Sequence, residues 1–357
     1  MARVGVVGYG LAGEVFHCPL IDATPGLELA AVVTGDAGRA SRARLRYPGV
    51  RVVPTFEELI RDGDDIDLLV VATPNHLHLS QAQAGLERGW HVVVDKPLAL
   101  SAEQGEALAA TAQARGLLLS VFHNRRWDDD FLLVKDVIGS GRLGTIRVLE
   151  SRFERWRPRL REGGWRDTLS PEQGGGLLLD LGSHLIDQAL ELLGPPESVY
   201  AEVRRRRGGA ADDDCFLVLH FGDGALGLLQ MSAVAAALGP RFRVLGMAGA
   251  VETWGLDPQE ERLRRGVATH KRLAGPVGPE HRAEFLHQGQ TSGGGEELVL
   301  PAGSYLRFYV EMEGALRGLG PVPIPVSAGI RALRVIEAAR RSAVTNEVVH
   351  LGCLDVG

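Results

Sequence analysis

Three side chains in this chain have chemistry suited to acid–base catalysis, namely Lys96, Asp180 and His184. Lys96 stands in Asp95-Lys96-Pro97, directly after an apolar run, and Asp180 lies four residues before His184. An imidazole titrates near neutral pH and suits a general base, while an ammonium stabilises a developing alkoxide. A carboxylate one helical turn away can orient the imidazole. These residues therefore indicate general acid–base chemistry.

The scarcity of lysine strengthens the case for Lys96. The chain has 39 basic residues, and lysine occurs only at positions 96, 135 and 271, with arginine at all the others. Arginine is bulkier than an ammonium and does not lose its proton in proteins. The alternative is a surface lysine at the end of a strand. Because this chain uses arginine for generic positive charge, we expect a chemical role for Lys96.

Two other interpretations of Asp180 and His184 stay open at this point. Asp180 could cap a helix while His184 is packed or solvated. Alternatively, Asp187 could join both residues in a set of metal ligands. A triad drawn from one helix is an uncommon metal site, and no second histidine-rich motif stands close to it in the sequence. We therefore expect no metal.

A glycine-rich turn near the amino terminus predicts a dinucleotide site. Gly8-Tyr9-Gly10-Leu11-Ala12-Gly13 follows the first apolar run and opens a helical pattern. Glycines in this context allow a tight turn and let backbone N–H groups approach a pyrophosphate at a helix amino terminus. The position after a strand and before a helix favours this function over a purely structural turn.

The end of the second predicted strand bears on which dinucleotide is used. The sequence there reads Val33-Thr34-Gly35-Asp36-Ala37-Gly38-Arg39, with a hydroxyl where an acidic ribose ligand is expected and a guanidinium shortly after it. An acid would bind the ribose 2′-hydroxyl and repel a 2′-phosphate. Thr34 and Arg39 therefore predict NADP. Asp36 keeps NAD open as the alternative, and Arg39 could also be a solvated helix residue.

The elements that must position these residues alternate between strands and helices in the first third of the chain. Short β-branched runs separated by helical patterns predict parallel βαβ units, and hence a doubly wound Rossmann sheet. Predicted strands cover 4–7, 29–33, 51–53, 68–72, 91–94 and 117–122. Predicted helices cover 12–21, 56–61, 80–87 and 102–114.

After residue 122 the pattern changes to a C-terminal α+β domain with a large, mostly antiparallel sheet. Several long strands are expected within 199–254, and residues 258–297 are expected to be loops. The predicted domains are thus 1–122, which binds NAD(P), and 123–357, which binds substrate and forms oligomers. Further helices are expected at 127–137, 181–193, 305–319 and 328–342, the last packing back on the first domain.

Composition narrows the class of protein further. A net charge of -6, with 45% hydrophobic and 24% charged residues, fits a globular chain and argues against a general nucleic-acid or anionic-membrane binder. Cys18, Cys215 and Cys353 are far apart, which indicates a reducing compartment. The sequence has neither a leader of signal-peptide type nor an apolar stretch of membrane-spanning length. We expect a cytoplasmic protein.

Five motifs follow one another along the chain: Gly8 to Gly13, Thr73-Pro74-Asn75 with His78, Asp95-Lys96-Pro97, His123-Asn124-Arg125-Arg126-Trp127, and Asp180 with His184 in Gly-Gly-x-Leu-x-Asp-x-Gly-x-His. In this order they resemble the motifs of the glucose-fructose oxidoreductase, inositol dehydrogenase and rhizopine-catabolism family (Gfo/Idh/MocA). The resemblance covers essentially the whole chain, and the stretch from Val121 to Trp127 is similar to the NADP-linked scyllo-inositol dehydrogenase-like branch. Asp95 is a departure, because the family most often has Glu before Lys-Pro.

The resemblance implies roles residue by residue. Lys96, Asp180 and His184 match the catalytic trio, and Asn75, His78, Asp95 and Asn124 match positions around the nicotinamide and the substrate. Which of Lys96 and His184 takes the proton stays open. The expected substrate ligands are Lys96, Asn124, Arg125, Trp165, Asp180 and His184. The expected cofactor ligands are Gly8, Tyr9, Gly10, Leu11, Gly13, Thr34, Gly35, Arg39, Thr73, Pro74, Asn75, His78, Asp95, Lys96 and Asn124.

The leading function is hydride transfer between NADP and a secondary alcohol of a cyclitol or sugar. Trp156, Trp165 and Arg166 supply aromatic faces and hydrogen-bond donors for such a substrate, although core packing is the alternative for each Trp. A polar strand face carrying Glu150, Arg152 and Glu154 could lie in water or form a homodimer or homotetramer. The competing functions are a nucleotide-assisted glycosidase of the same family and a cofactor-sensing regulator without turnover.

Overall fold

The computed structural model describes residues 1–160, 164–266 and 280–352, and the chain divides into two compact units. The predicted domain limits, 1–122 and 123–357, stay predictions. The structure adds that the first unit takes up two segments from late in the chain. This unit comprises Met1–Asn124, the described residues of Gln259–Leu273, and Ser304–Ile330. The second comprises Arg125–Pro258 and the described residues of Ala274–Gly303 and Arg331–Gly357.

The first unit is built on a parallel sheet with strand order β3-β2-β1-β4-β5-β6. Every paired neighbour runs parallel. The central strand β4 is buried along its whole length, as its unbroken apolar sequence requires in a sheet covered on both faces. The predicted doubly wound sheet is confirmed. The strands are β1 (Ala2–Val7), β2 (Leu27–Val33), β3 (Arg51–Val53), β4 (Leu68–Val71), β5 (His91–Asp95) and β6 (Leu119–Phe122).

Side-chain caps start most of the helices that connect these strands. Thr55 and Ser101 each accept a backbone N–H three residues on, and Gly116 ends its helix in the left-handed region. The helix predicted at 12–21 begins with a π-helical segment, Ala12–His17, before it becomes α-helical. The α-helices are α1 (Cys18–Asp22), α2 (Ala37–Arg46), α3 (Phe56–Asp62), α4 (His78–Glu87) and α5 (Ala102–Arg115).

The second unit contains a sheet of order β14-β13-β12-β11-β7-β10-β9-β8-β15 within the described residues. Only β7 and β10 pair in parallel, so the prediction of a mostly antiparallel sheet is confirmed. The elements after residue 124 are α6 (Asp129–Gly139), β7 (Ile146–Glu154), α7 (Trp165–Thr168), a π-helical segment (Leu178–Gly182), α8 (Ser183–Leu193), β8 (Pro196–Arg204), β9 (Asp214–Phe221), β10 (Leu226–Ser232), β11 (Phe242–Gly246), β12 (Ala250–Trp254), α9 (Gln259–Arg264), β13 (Arg282–Leu286), β14 (Glu296–Leu298), α10 (Leu306–Leu316), α11 (Val326–Thr345) and β15 (Val349–His350).

The prediction of loops across 258–297 is wrong for the described part of that range. It contains α9, β13 and part of β14, while residues 267–279 lie outside the description. The pattern of β13 is only five residues long, and Ala283 to Leu286 are all buried, including the charged Glu284, so burial does not alternate along this strand. Glycine and charge on both sides of so short a pattern hide it in the sequence.

Two late segments of the chain complete the core of the first unit. The Nδ1 atom of His17 lies 2.6 Å from the Tyr309 hydroxyl, and the rings of Phe122 and Phe308 meet edge to face at 4.8 Å. Burial lowers the pKa of His17 to about 4, so this histidine is neutral at physiological pH. The backbone N–H of Tyr305 donates to the Gln259 side chain at 2.7 Å. Residues 259 and 305–309 thus support the helical segment that follows the glycine turn.

Two further sequence expectations concern cysteines and membrane spans. Cys18 and Cys215 are buried free thiols whose pKa values are raised by burial, and Cys353 lies outside the described residues. In residues 1–160, 164–266 and 280–352, no helix combines the length and apolarity needed to cross a membrane.

Candidate active site

The glycine turn leaves β1 at Gly8 and leads into the π-helical segment. Gly8 has φ +98°, and a Cβ at this position would meet the Ala72 carbonyl oxygen at 2.5 Å. A Cβ on Gly13 would overlap the Gly8 carbonyl, whereas one on Gly10 would meet nothing within 4 Å. Two of the glycines thus allow close backbone packing, and the third leaves open space beside the turn. This arrangement fits a bound dinucleotide pyrophosphate.

Substitution of these glycines separates packing from binding. We expect Gly13→Ala to destabilise the fold by roughly 1–3 kcal/mol because its methyl group overlaps the Gly8 carbonyl. We expect Gly10→Ala to keep the wild-type melting temperature but to weaken dinucleotide binding, because its methyl group fills the open space. Thermal melts and fluorescence titration with NADP and NAD measure the two effects. Unchanged dinucleotide affinity in Gly10→Ala would show that the backbone does not approach the ligand there.

The predicted ligands beside the glycines differ in exposure. Tyr9 is buried, and burial raises its pKa to about 12, so only its main chain is available to a ligand. Leu11 is exposed at the rim of the turn. Tyr9 therefore serves as a core anchor for the turn, a role that its position in the motif did not reveal.

The loop after β2 contains the residues predicted to choose the dinucleotide. Asp36 is the N-cap of α2, where its Oδ1 accepts the Arg39 N–H at 2.7 Å. The Arg39 side chain is exposed, and no ion pair to it occurs within residues 1–160, 164–266 and 280–352. The next arginine on this helix, Arg42, is engaged bidentately by Glu14 at 2.7 and 3.0 Å. Asp36 thus has a structural role as the N-cap of α2, which explains an acidic residue at this position even if it does not bind a ribose.

Lys96 lies directly after β5, at the carboxyl end of the parallel sheet, and its side chain is half-buried. The Asp95 carboxylate turns back and accepts the Lys96 N–H at 2.8 Å, and the Lys96–Pro97 peptide bond is cis. Asp95, whose side chain is shorter than that of the Glu most often found here in the family, thus caps the turn that carries Lys96. Ligands of open parallel sheets bind at this edge.

His78 joins this turn to the one after β4. Its Nδ1 lies 2.8 Å from the Pro97 carbonyl and its Nε2 2.9 Å from the Thr73 carbonyl, with the ring completely buried. Burial lowers the pKa of His78, although Asp95 and the two carbonyls act in the opposite direction. These contacts favour a positioning role for His78 over the direct cofactor contact predicted from the sequence. Asn75 is also buried, in a short 3₁₀ turn with Pro74 before it.

Asp180 and His184 stand on the helix formed by the second π-helical segment and α8. Asp180 lies in the π segment and His184 in the first turn of α8, where the imidazole is buried. The Asp180 Oδ1 accepts a hydrogen bond from Arg166 Nε at 3.1 Å. Asp180 is therefore not the helix cap that the alternative interpretation required. The helix therefore carries the Asp180 carboxylate, which Arg166 binds, one turn before the buried His184.

The start of this helix is anchored by Asp212, which sequence reasoning missed. Its Oδ1 accepts the Leu178 N–H at 2.7 Å, and its main-chain oxygen accepts the Leu177 N–H at 3.0 Å. Burial raises the pKa of Asp212. Gly176 is required beside it, because φ there is +96° and a Cβ would overlap the Asp212 carboxylate. Asp212 is distant in sequence from residues 176–178, so no local pattern signals this cap.

Arg126 forms ion pairs with two acids of α8, Asp187 and Glu191. Arg126 binds both oxygens of Asp187 at 2.7 and 2.9 Å and also contacts Glu191 at 2.7 Å. Desolvation would lower the Arg126 pKa, but these two acids raise it overall. The engagement of Asp187 accounts for its position without a metal ion. Within the part of the chain that the structure describes, no three His, Cys, Asp or Glu side chains form a group suited to a metal.

The predicted substrate ligands fall into two groups by exposure. Trp165 is half-buried at the start of α7, with the Arg166 guanidinium 4.3 Å from its ring centroid. Arg125 is buried against Asp128 at 3.0 Å and over the Phe153 ring at 4.8 Å, which favours a structural role for its side chain. Asn124 is likewise buried. Trp156 is 59% exposed, so core packing is excluded for this residue.

The parallel sheet and its glycine turn define a dinucleotide-binding Rossmann fold. Residues 2–123 match the family described as "Oxidoreductase family, NAD-binding Rossmann fold", and residues 131–252 match the "GFO/IDH/MocA C-terminal domain". The chain belongs to the Gfo/Idh/MocA family of oxidoreductases. It is a dehydrogenase-type enzyme that acts on a small molecule.

Full-length similarity extends to relatives of known and unknown activity. The chain is 35% identical to the scyllo-inositol 2-dehydrogenase (NADP(+)) IolW of Bacillus subtilis, with 98% of this chain and 96% of that protein covered. It is 39% identical to the uncharacterized oxidoreductase YdgJ of Escherichia coli, with 96% of each covered. Among solved structures, the Bordetella pertussis dehydrogenase WlbA, in complex with NADH and UDP-GlcNAcA, has a TM-score of 0.79, 25% identity and 98% coverage of both chains.

Proposed function

We propose that this enzyme transfers a hydride between NADP and a secondary alcohol of a cyclitol or sugar. The observation that carries the proposal is the position of Lys96. It is half-buried directly after β5, at the carboxyl edge of the parallel sheet where ligands bind, and the glycine turn after β1 of the same sheet fits a dinucleotide. The 35% identity to a relative named as an NADP-linked scyllo-inositol 2-dehydrogenase supports the substrate class.

Each catalytic residue has a role that its chemistry supports. His184 takes the hydroxyl proton of the alcohol, and the Lys96 ammonium donates a hydrogen bond to the oxygen as negative charge develops on it. Asp180, one turn before His184 and paired with Arg166, orients the base. A bound nicotinamide dinucleotide supplies the acceptor for the hydride. An exchange of roles between Lys96 and His184 is the alternative within this scheme.

A substrate screen tests the proposal. The enzyme is incubated with NADP or NAD and a panel of inositol isomers and aldoses, and reduction of the dinucleotide is followed at 340 nm. We expect turnover with at least one cyclitol or sugar. Release of an aglycone from a glycoside, with bound dinucleotide and no net reduction, would instead support the glycosidase. Dinucleotide binding without turnover of any compound would support the regulator.

We expect NADP to be preferred over NAD, with Arg39 as the main determinant. An exposed guanidinium that lacks an ion pair in the described structure is available to a 2′-phosphate. Arg39→Ala should lower kcat/KM for NADP by roughly 10- to 100-fold, the value of one or two charge-assisted hydrogen bonds, and leave NAD use nearly unchanged.

Asp36→Asn is the matched control for this prediction. Asn keeps the N-cap of α2 but removes the charge, so we expect little change with either dinucleotide. A wild-type preference for NAD, together with a selective loss of NAD use in Asp36→Asn, would refute the proposal and make Asp36 the ribose ligand.

We also propose that the enzyme is a homodimer or homotetramer through the outer face of its large sheet. On this face Glu150 pairs with Arg152 at 2.6 Å and with Arg243 at 3.0 Å, so the charges are already compensated in one subunit. Such compensation lowers the cost of covering the face with a second copy. Sedimentation velocity measures the state, and a monomer at micromolar concentration would refute this proposal.

A further inference from the structure

Arg166 contacts the catalytic helix through both its main chain and its side chain. Its carbonyl accepts the Gly176 N–H at 3.0 Å, and the Gly176 carbonyl in turn accepts the Asp180 N–H at 3.1 Å. Arg166 Nε then donates to the Asp180 carboxylate at 3.1 Å. These three hydrogen bonds close a ring through Arg166, Gly176 and Asp180, so the backbone and the carboxylate of Asp180 are fixed by the same residue.

The guanidinium of Arg166 is itself held in place from a second direction. Its Cζ atom lies 4.3 Å from the centroid of the Trp165 ring, a cation–π contact that attracts the guanidinium to the ring face. The short helix α7 that carries both residues is tied down by Arg207, whose Nη2 donates to Asp167 at 2.8 Å and whose Nε donates to Asp213 at 3.0 Å. The Arg207 side chain is almost completely buried.

Exposure distinguishes Arg166 from two less exposed ion-paired arginines of this unit, Arg207 and Arg126. Its side chain is 38% exposed, compared with 4% for Arg207 and 15% for Arg126. A surface ion pair at this exposure adds little to stability. The pair at Arg166 therefore adds little to the stability of the fold, while its acceptor, Asp180, is the proposed catalytic carboxylate.

We propose that Arg166 is a positioning residue that fixes the orientation of the Asp180 carboxylate for its work on His184, with Trp165 as the platform that holds the guanidinium. This inference rests on the proposed function, because it gives Arg166 a role through Asp180 in the same reaction. Trp165 then acts on the arginine, rather than only on the substrate as the sequence predicted.

The test compares Arg166→Gln, Arg166→Lys and the control Arg204→Ala in the full-length enzyme. Arg204 is an exposed arginine paired with the neighbouring Glu202 on β8, and it lies outside the proposed machinery. We expect Arg166→Gln to lower kcat by roughly 10- to 100-fold, since small misplacement of a catalytic group has effects of this size, with little change in KM. We expect kcat of Arg166→Lys to lie between those of Arg166→Gln and wild type, because lysine keeps the positive charge but lacks the planar donor fork of the guanidinium.

Added guanidinium provides a readout that a purely structural role would not move. Because the side chain is partly exposed, we expect millimolar guanidinium chloride to raise kcat of Arg166→Gln several-fold and to leave wild type and Arg204→Ala unchanged. A raised KM at wild-type kcat would overturn the proposal by making Arg166 a substrate ligand. A loss of kcat that guanidinium does not restore, with a lowered melting temperature, would overturn it by making Arg166 a packing residue.

A measurement without substrate separates this inference from the proposed function. In protein labelled with ¹³C at aspartate side chains, the Asp180 carboxyl signal should move in Arg166→Gln and stay in place in Arg204→Ala. If no alcohol is oxidised but this signal moves, the proposed function fails while the ion pair stands. If alcohols are oxidised and neither the signal nor kcat changes, the inference fails and the proposed function stands.

Discussion

His184→Ala should lower kcat/KM for alcohol oxidation by about 10²- to 10⁴-fold, the contribution typical of a positioned acid–base group. In the wild-type enzyme we expect oxidation to accelerate with rising pH, because an imidazole can act as a base only after it has lost its proton. The variant should lose this pH dependence. Steady-state kinetics between pH 5 and 9 with a substrate from the screen measure both effects.

Asp180→Asn provides the partner measurement for His184→Ala. If the two residues act as a unit, the double variant should be much less impaired than the product of the single effects. A pH limb that persists unchanged in His184→Ala would transfer the role of base to Lys96. Loss of activity in a chelator, restored by a divalent ion, would contradict the assignment and favour a metal at Asp180 and His184.

Lys96→Arg should lower kcat by roughly 10²- to 10³-fold, although the positive charge is retained, because the loss of one donor to a developing oxyanion has effects of this size. The guanidinium is larger, and its donors form a planar fork that cannot occupy the position of an ammonium. The substitution leaves the Asp95 cap on the Lys96 backbone and the glycines of the turn after β1 unchanged, so dinucleotide affinity and melting temperature should stay close to wild type.

Lys135→Arg is the matched control for this change. Lys135 is exposed on α6 and pairs with Glu191 at 2.7 Å, a contact that arginine can also make. We expect wild-type kcat in this variant. Near-native kcat in Lys96→Arg as well would show that any positive charge suffices after β5, and it would remove the chemical argument for lysine at this position.

The parallel sheet could be predicted from the sequence because local patterns determine it. The apolar run at 68–71 is buried on both faces, and the turn from Gly8 to Gly13 can be recognised from spacing alone. Helix periodicity likewise placed Asp180 one turn before His184. These features depend on neighbours in the sequence, where period and residue type carry the information.

Residues that act across long stretches of sequence could not be predicted in the same way. Asp212 caps a helix that begins more than thirty residues earlier in the chain, and Tyr309 reaches back to His17. The burial of Arg125 and His78 also depends on such partners, which is why residues predicted to touch ligands lie beneath the surface instead. Spacing identifies which residue types are present, but tertiary contacts decide which of them face a ligand.

The discontinuity of the first unit affects how the protein is made. Residues 2–122 leave the ribosome well before Phe308 and Tyr309, which close the core around Phe122 and His17. At roughly 5–20 residues per second, the stretch from Asn124 to Ile330 takes on the order of 10–40 s to translate. During this interval we expect the apolar surface around His17 and Phe122 to be exposed on the nascent chain, where a chaperone can bind it. A ribosome-bound chain stalled near residue 200 should therefore be cut by protease inside its first hundred residues, whereas the released full-length chain should resist.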